Sequence, residues 1–132
     1  MFALFHVGNA NFSVIAFINL ALFGFFAAVF TLRRGSIWAI GAIHAIWNFA
    51  QGNLFGFSVS GMAMSDSVLI ATPNNFGAIL SGGNFGLEGG LGATIVLLIA
   101  ILAVFISPTK KSEIVVEEDD ENDEDTGEEI IL

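Results

Sequence analysis

Residues 36–61 read SIWAIGAIHAIWNFAQGNLFGFSVSG. The stretch is almost wholly apolar, yet His44 and Asn48 stand in its middle. Residues four apart on a helix lie one turn above the other on the same face. A helix here therefore carries an imidazole and an amide on one side. In a membrane such groups are costly unless buried against partners, so they mark a candidate functional site. His6 is the only other histidine in the chain. The question the sequence poses is whether His6, His44 and Asn48 form one site.

The chain around this stretch has 132 residues, of which 55% are hydrophobic, with 14 Phe. Its mean hydropathy is +0.78. In residues 1–106 the only formal charges are Arg33, Arg34, Asp66 and Glu88. That span cannot cover a soluble domain with polar surface, so the class is a membrane protein. No cysteine is present, which excludes a disulfide framework, a thiolate metal site and a thiol nucleophile. The net charge of −9 belongs to the end of the chain, where 11 of the 13 acids lie between Glu113 and Glu129. With four Lys and Arg in all, nucleic acid is not an expected partner. The partners to expect are the lipid bilayer and a peptide or protein at the membrane.

Working outward, residues 1–8 (MFALFHVG) are too short to span a bilayer, which needs about 20 helical residues. They read as the last turns of a helix that begins before Met1. No basic segment precedes them and no small-residue cleavage site comes after, so they do not read as a signal peptide. Gly8, Asn9 and Asn11 form a turn, and Asn11 or Ser13 is positioned to cap a helix. Residues 12–32 carry no charge and predict that helix as a transmembrane span. Its Gly24 and Ala28 allow close approach of a neighbouring helix. Asn19 and Trp47 read as packing residues, and the Phe-rich face of 23–30 as lipid contact. Ser36 caps a second helix, expected to run to about residue 49. Counted from Ser36, His44 lies about 12 Å along it and Asn48 about 18 Å.

Residues 51–90 hold nine glycines and Pro73, which argues against a continuous helix. Their apolar patches predict a re-entrant or membrane-hugging loop. Residues 91–106 predict the last helix, stopped by Ser107, Pro108, Lys110 and Lys111. The basic pairs Arg33/Arg34 and Lys110/Lys111 face the cytoplasm by the positive-inside rule. The long loop is then external. The expected organisation is a membrane domain over 1–107 and a disordered, acidic cytoplasmic tail over 108–132. The fold class is all-α: a polytopic transmembrane bundle of about three full spans plus the end of a truncated one.

Two motifs and their surroundings carry a resemblance. Phe2 to His6 reads FALFH, and His44 to Asn48 reads HAIWN. Their flanks are GNANFS after the first histidine, the RRGSIWAIGAIHAIWNFAQG block, and GGNFGLEGG before the last helix. In this order they resemble the C-terminal part of the CPBP family of intramembrane proteases, the CAAX-protease and bacteriocin-processing group also called Abi proteins. That family carries EExxxR, then FxxxH, then HxxxN on separate helices.

The resemblance implies an endopeptidase that hydrolyses peptide bonds within or near the membrane. His6 would orient or activate water, and His44 and Asn48 would stabilise the oxyanion. The chemistry is sound in itself: a base must reach water, and fixed donors must face the developing charge. The family is often labelled metalloprotease. His6 and His44 with glutamates could hold zinc with an open position, or the water could be activated by a carboxylate alone. The resemblance also implies the cell membrane of a prokaryote, and either a second copy or N-terminal helices as partners.

One departure is large. EExxxR is absent, for Glu117–Glu118 is followed by acids and Asn122, not by arginine. Glu88, in its Gly-rich surroundings, reads as structural. The alternative function is a non-catalytic membrane scaffold derived from the same family.

Overall fold

A computed structural model describes residues 1–71 and 77–108. The expected acidic tail, Pro108 apart, lies outside the described residues. Among them there is no β-strand, only an isolated antiparallel bridge between Val59 and Met62. The chain opens with a 3₁₀ turn, Phe2–His6. Helix α1 spans Val14–Arg34, α2 Ile37–Phe49, the short α3 Ala78–Ser81, and α4 Leu91–Ile106.

The caps explain where the long helices start. The Ser13 Oγ accepts from the Ala16 N–H at 3.1 Å, and the Ser36 Oγ from the Ala39 N–H at 3.2 Å. Each hydroxyl satisfies one amide that the first helical turn leaves unpaired. Asn11 is not the cap; it takes a left-handed turn with φ 58°. Gly35, at φ 68°, ends α1 and lets the chain reverse into α2.

α1 packs along α4 and carries the opening 3₁₀ turn on its flank. Two apolar clusters hold this arrangement. One joins Ala3, Ala16, Leu20 and Phe85, so the opening turn, α1 and the Gly-rich segment meet there. The other joins Phe26, Ile40 and Val104 from α1, α2 and α4. Phe23 and Phe30 pack against it. The Phe-rich face is therefore largely core, not lipid contact; Phe25 is the ring left exposed.

Gly24 admits a neighbour, but the neighbour is the opening turn, not a helix. A Cβ on Gly24 would stand 3.2 Å from the Phe2 Cβ. Ala28 is exposed.

At its far end α1 grips α4 with arginine. Arg33 donates from Nε to the Val104 carbonyl and from Nη2 to the carbonyls of Phe105 and Ser107, each at 3.0 Å. Arg34 donates to the Pro108 carbonyl at 3.0 Å. These carbonyls belong to or come after the last turn of α4, which has no intrahelical donor for them.

α2 does not stop cleanly at Phe49. A π-turn, Ala50–Leu54, continues it, so Gln51 is helical where a loop was expected. The rest of the Gly-rich segment folds back over the helices. The Gly61 N–H donates to the Phe85 carbonyl at 2.7 Å, and Asn9 Nδ2 to the Ser60 carbonyl at 2.7 Å. α1 is long and apolar enough to cross a bilayer by length and composition; α4 is a shorter apolar helix.

Candidate active site

The opening turn places Phe2 against α1 and α2, and the two histidines flank its ring. The Phe2 and His6 ring centroids are 4.8 Å apart, and those of Phe2 and His44 5.7 Å, edge-on. Phe23 of α1 backs His44 at 4.9 Å. Asn48 meets His44 one turn on, with Nδ2 3.2 Å from Nε2. All three expected residues thus belong to one cluster, with Phe2 as the spacer between the imidazoles.

Hydrogen bonds set the two imidazoles differently. His6 Nδ1 lies 3.0 Å from the Phe2 carbonyl, which can only accept, so Nδ1 carries the proton. Nε2 of a neutral His6 is then a lone pair, and it has no partner among the described residues. His44 is reversed. With the Asn48 amide donating to Nε2, the neutral ring carries its proton on Nδ1. One imidazole therefore offers an acceptor and the other a donor.

A third layer was not legible as part of the site. Gln51 is 2% exposed, and its Nε2 donates at 2.6 Å both to the Ser58 carbonyl and to Glu88 Oε2. Asn19, 1% exposed, donates to the carbonyls of Glu88 and Gly90 at 2.8 and 2.9 Å and accepts from Thr94 Oγ1 at 2.7 Å. Glu88 is thus held at its carboxylate by the π-turn after α2 and at its backbone by α1. It does serve the structure, as its sequence context suggested. It also borders a cavity of 160 Å³ shared with Phe2, His44 and Trp47, and it is within electrostatic reach of His44. The sequence signal for Gln51 was its spacing: 44, 48 and 51 continue one helical face.

Two acceptors are left over. Asn48 Oδ1 and Gln51 Oε1 are buried with no partner among the described residues. They lie three residues apart, where α2 passes into the π-turn; such turns occur frequently at functional sites.

Zinc can be tested against this geometry. A catalytic zinc takes three protein ligands and keeps one position open. Among the described residues no three His, Asp or Glu side chains come together as a metal-holding group. His6 and His44 therefore do not make a zinc site with the described residues.

Residues 1–50 match the family model described as type II CAAX prenyl endopeptidase Rce1-like. No curated protein and no solved structure matches the chain. The matched segment contains the opening turn, α1 and α2, and with them both motifs. Over those residues the chain is similar to the Rce1-like type II CAAX prenyl endopeptidases, a partial match that supports a member of the CPBP group.

Proposed function

We propose that the chain acts as an intramembrane endopeptidase of the CPBP type, cutting peptide bonds of membrane-associated substrates. The observation that carries this reading is the pair of oppositely arranged imidazoles on either side of Phe2. His6 Nε2 is the atom to take a proton from attacking water. The backbone carbonyl of Phe2 holds its ring in that tautomer. His44 Nδ1–H is the donor for the oxyanion, and Asn48, donating to Nε2, holds the ring in the tautomer that offers it. Donors fixed in advance cost no reorganisation as charge develops, and they act more strongly where water is excluded. The proton taken by His6 then returns to the leaving amine.

α1, α2 with its π-turn, and α4 are the three spans of this reading, with Arg33 and Arg34 on the cytoplasmic side. The exposed outer face of α2, with Trp38, Ile46 and Phe49, would meet lipid, a second copy or further helices.

The scaffold reading is favoured by one observation. The carboxylate within electrostatic reach of His44, that of Glu88, is already engaged by Gln51. Both readings meet in one experiment. His44→Ala and Asn48→Ala, each in the native membrane, should lower cleavage of a membrane-tethered peptide by at least about 10²-fold. Membrane insertion should be unchanged. Wild-type rates in either variant would remove that residue from the site. Absence of cleavage by the wild type would leave the scaffold.

A further inference from the structure

Gln51 is a buried amide of which only the nitrogen side has partners. Its Nε2 donates to the Ser58 carbonyl and to the Glu88 carboxylate, both at 2.6 Å. A carbonyl can only accept, so the amide cannot be turned over and Oε1 faces the other way. Oε1 is buried and meets no donor among the described residues, and the same holds for Asn48 Oδ1. Buried acceptors in folded proteins are nearly always met by a donor, from the chain or from ordered water.

The two oxygens stand at neighbouring positions, since residues three apart on a helix have Cβ atoms about 5–6 Å apart. Acceptors so placed call for one donor with two hydrogens. A water supplies both from one atom, through bonds of about 2.8 Å each. A hard cation fits poorly, because it takes about six oxygens or more and these are two neutral ones. A donor carried on a larger molecule is kept out. Gln51 is 2% exposed. Beside it Gly52 is covered so closely that a Cβ there would stand 2.8 Å from Met64 Cγ and 2.9 Å from Val59 Cγ2.

We propose that Asn48 Oδ1 and Gln51 Oε1 together bind one internal water, and that this water fixes the Asn48 amide that holds His44. The contacts then run from Ser58 and Glu88 through Gln51, the water and Asn48 to the imidazole. A donor on Oδ1 leaves Asn48 Nδ2 to face His44 Nε2, 3.2 Å away. It also polarises the amide, which strengthens Nδ2–H as a donor. The ring keeps its proton on Nδ1. Gln51 is thus a positioning residue for His44. In the competing arrangement the Asn48 amide is turned over: Nδ2 donates straight to Gln51 Oε1, Oδ1 accepts from His44 Nε2–H, and no water takes part. What His44 Nδ1–H is used for rests on the proteolytic reading; the water and the tautomer do not.

The test is NMR on the full chain, isotope-labelled, in lipid nanodiscs, with water itself as the probe. A side chain 2% exposed does not touch bulk solvent, so a dipolar cross-peak between water and the Gln51 amide protons reports an internal molecule. That cross-peak is expected, with its counterpart at Asn48, and the His44 nitrogen shifts should be those of a ring protonated at Nδ1 alone. Gln51→Met keeps the size and removes the acceptor. It should lose the Asn48 cross-peak and leave His44 as a mixture of both tautomers. Glu88→Gln still offers an oxygen to Gln51 Nε2, so both signals should stay. No cross-peak at Gln51 in the wild type, or a His44 proton on Nε2, overturns the proposal without need of any variant. A single His44 tautomer kept in Gln51→Met overturns the positioning role. Cross-peaks and the Nδ1 tautomer in a chain that cuts no peptide support the water site and remove the proteolytic reading alone.

Discussion

Asn19 does at the residue scale what its place in the sequence did not announce. It is one amide in a helix of apolar residues, and it ties α1 to three groups 69 to 75 residues away. Replacing it with leucine, near in shape, leaves two buried carbonyls and the Thr94 hydroxyl without their partner. The expected loss is about 1–3 kcal/mol, read by reversible unfolding in detergent. Thr94→Val should cost less, and the two changes together should be non-additive because they share one hydrogen bond. Strictly additive losses would mean that the pair is not coupled. Asn19, a packing residue by its sequence context, is in the fold a buried hydrogen-bonding tie. A sequence shows an amide in an apolar run, but not which distant carbonyls it will meet. His44 and Asn48 were legible because their relation is local, one turn of helix.

At the element scale the ends of the helices decide most. The start of α1 at Ser13, the start of α2 at Ser36 and the whole of α4 arise from caps and apolar runs, which are local signals. The π-turn after α2 is not local. The carbonyls of Asn53 and Leu54 accept from Val68 and Leu69 at 2.9 Å, so a returning segment holds that turn in place. The arginine pair was read as a topological signal; its grip on α4 is a tertiary contact that the sequence did not announce. Arg33 reaches three carbonyls because a guanidinium is a planar fork; an ammonium cannot match that geometry. Arg33→Lys should therefore keep the membrane orientation and loosen the end of α4. Hydrogen exchange is the measurement. The Ser107 amide, now bonded to the Ala103 carbonyl at 3.1 Å, should exchange about tenfold faster. Unchanged exchange in Arg33→Lys and also in Arg33→Ala would show that the fork does not hold the helix end.

For the molecule as a whole, the Gly-rich segment decides whether there is a site. It brings Glu88 onto Gln51, and it does so by close backbone contact. Gly86 has φ 103°, and a Cβ there would run into the Ser58 carbonyl and come within 2.7 Å of Gln51 Nε2. Gly86→Ala should lower stability by about 3 kcal/mol or more, from backbone strain together with the overlap. Gly8→Ala is the control, since nothing lies within 4 Å of its would-be Cβ. The comparison is of thermal midpoints in one detergent; equal midpoints would mean that the segment does not hold the site together. Nine glycines between residues 51 and 90 argued against a continuous helix, and the described residues there form only short turns and one four-residue helix; glycine count carries no register, so the 37-residue link from Gln51 to Glu88 could not be read from it. The Asn19 contacts also bear on how the protein is made. α1 leaves the ribosome long before Thr94 exists. At about 5–20 residues per second, the 75 residues between them take roughly 4–15 s to synthesise. Through that interval α1 bears an amide with none of its final partners in a hydrophobic setting. The order of synthesis thus leaves the Asn19 amide without its folded-state partners until residues 88–94 have been made.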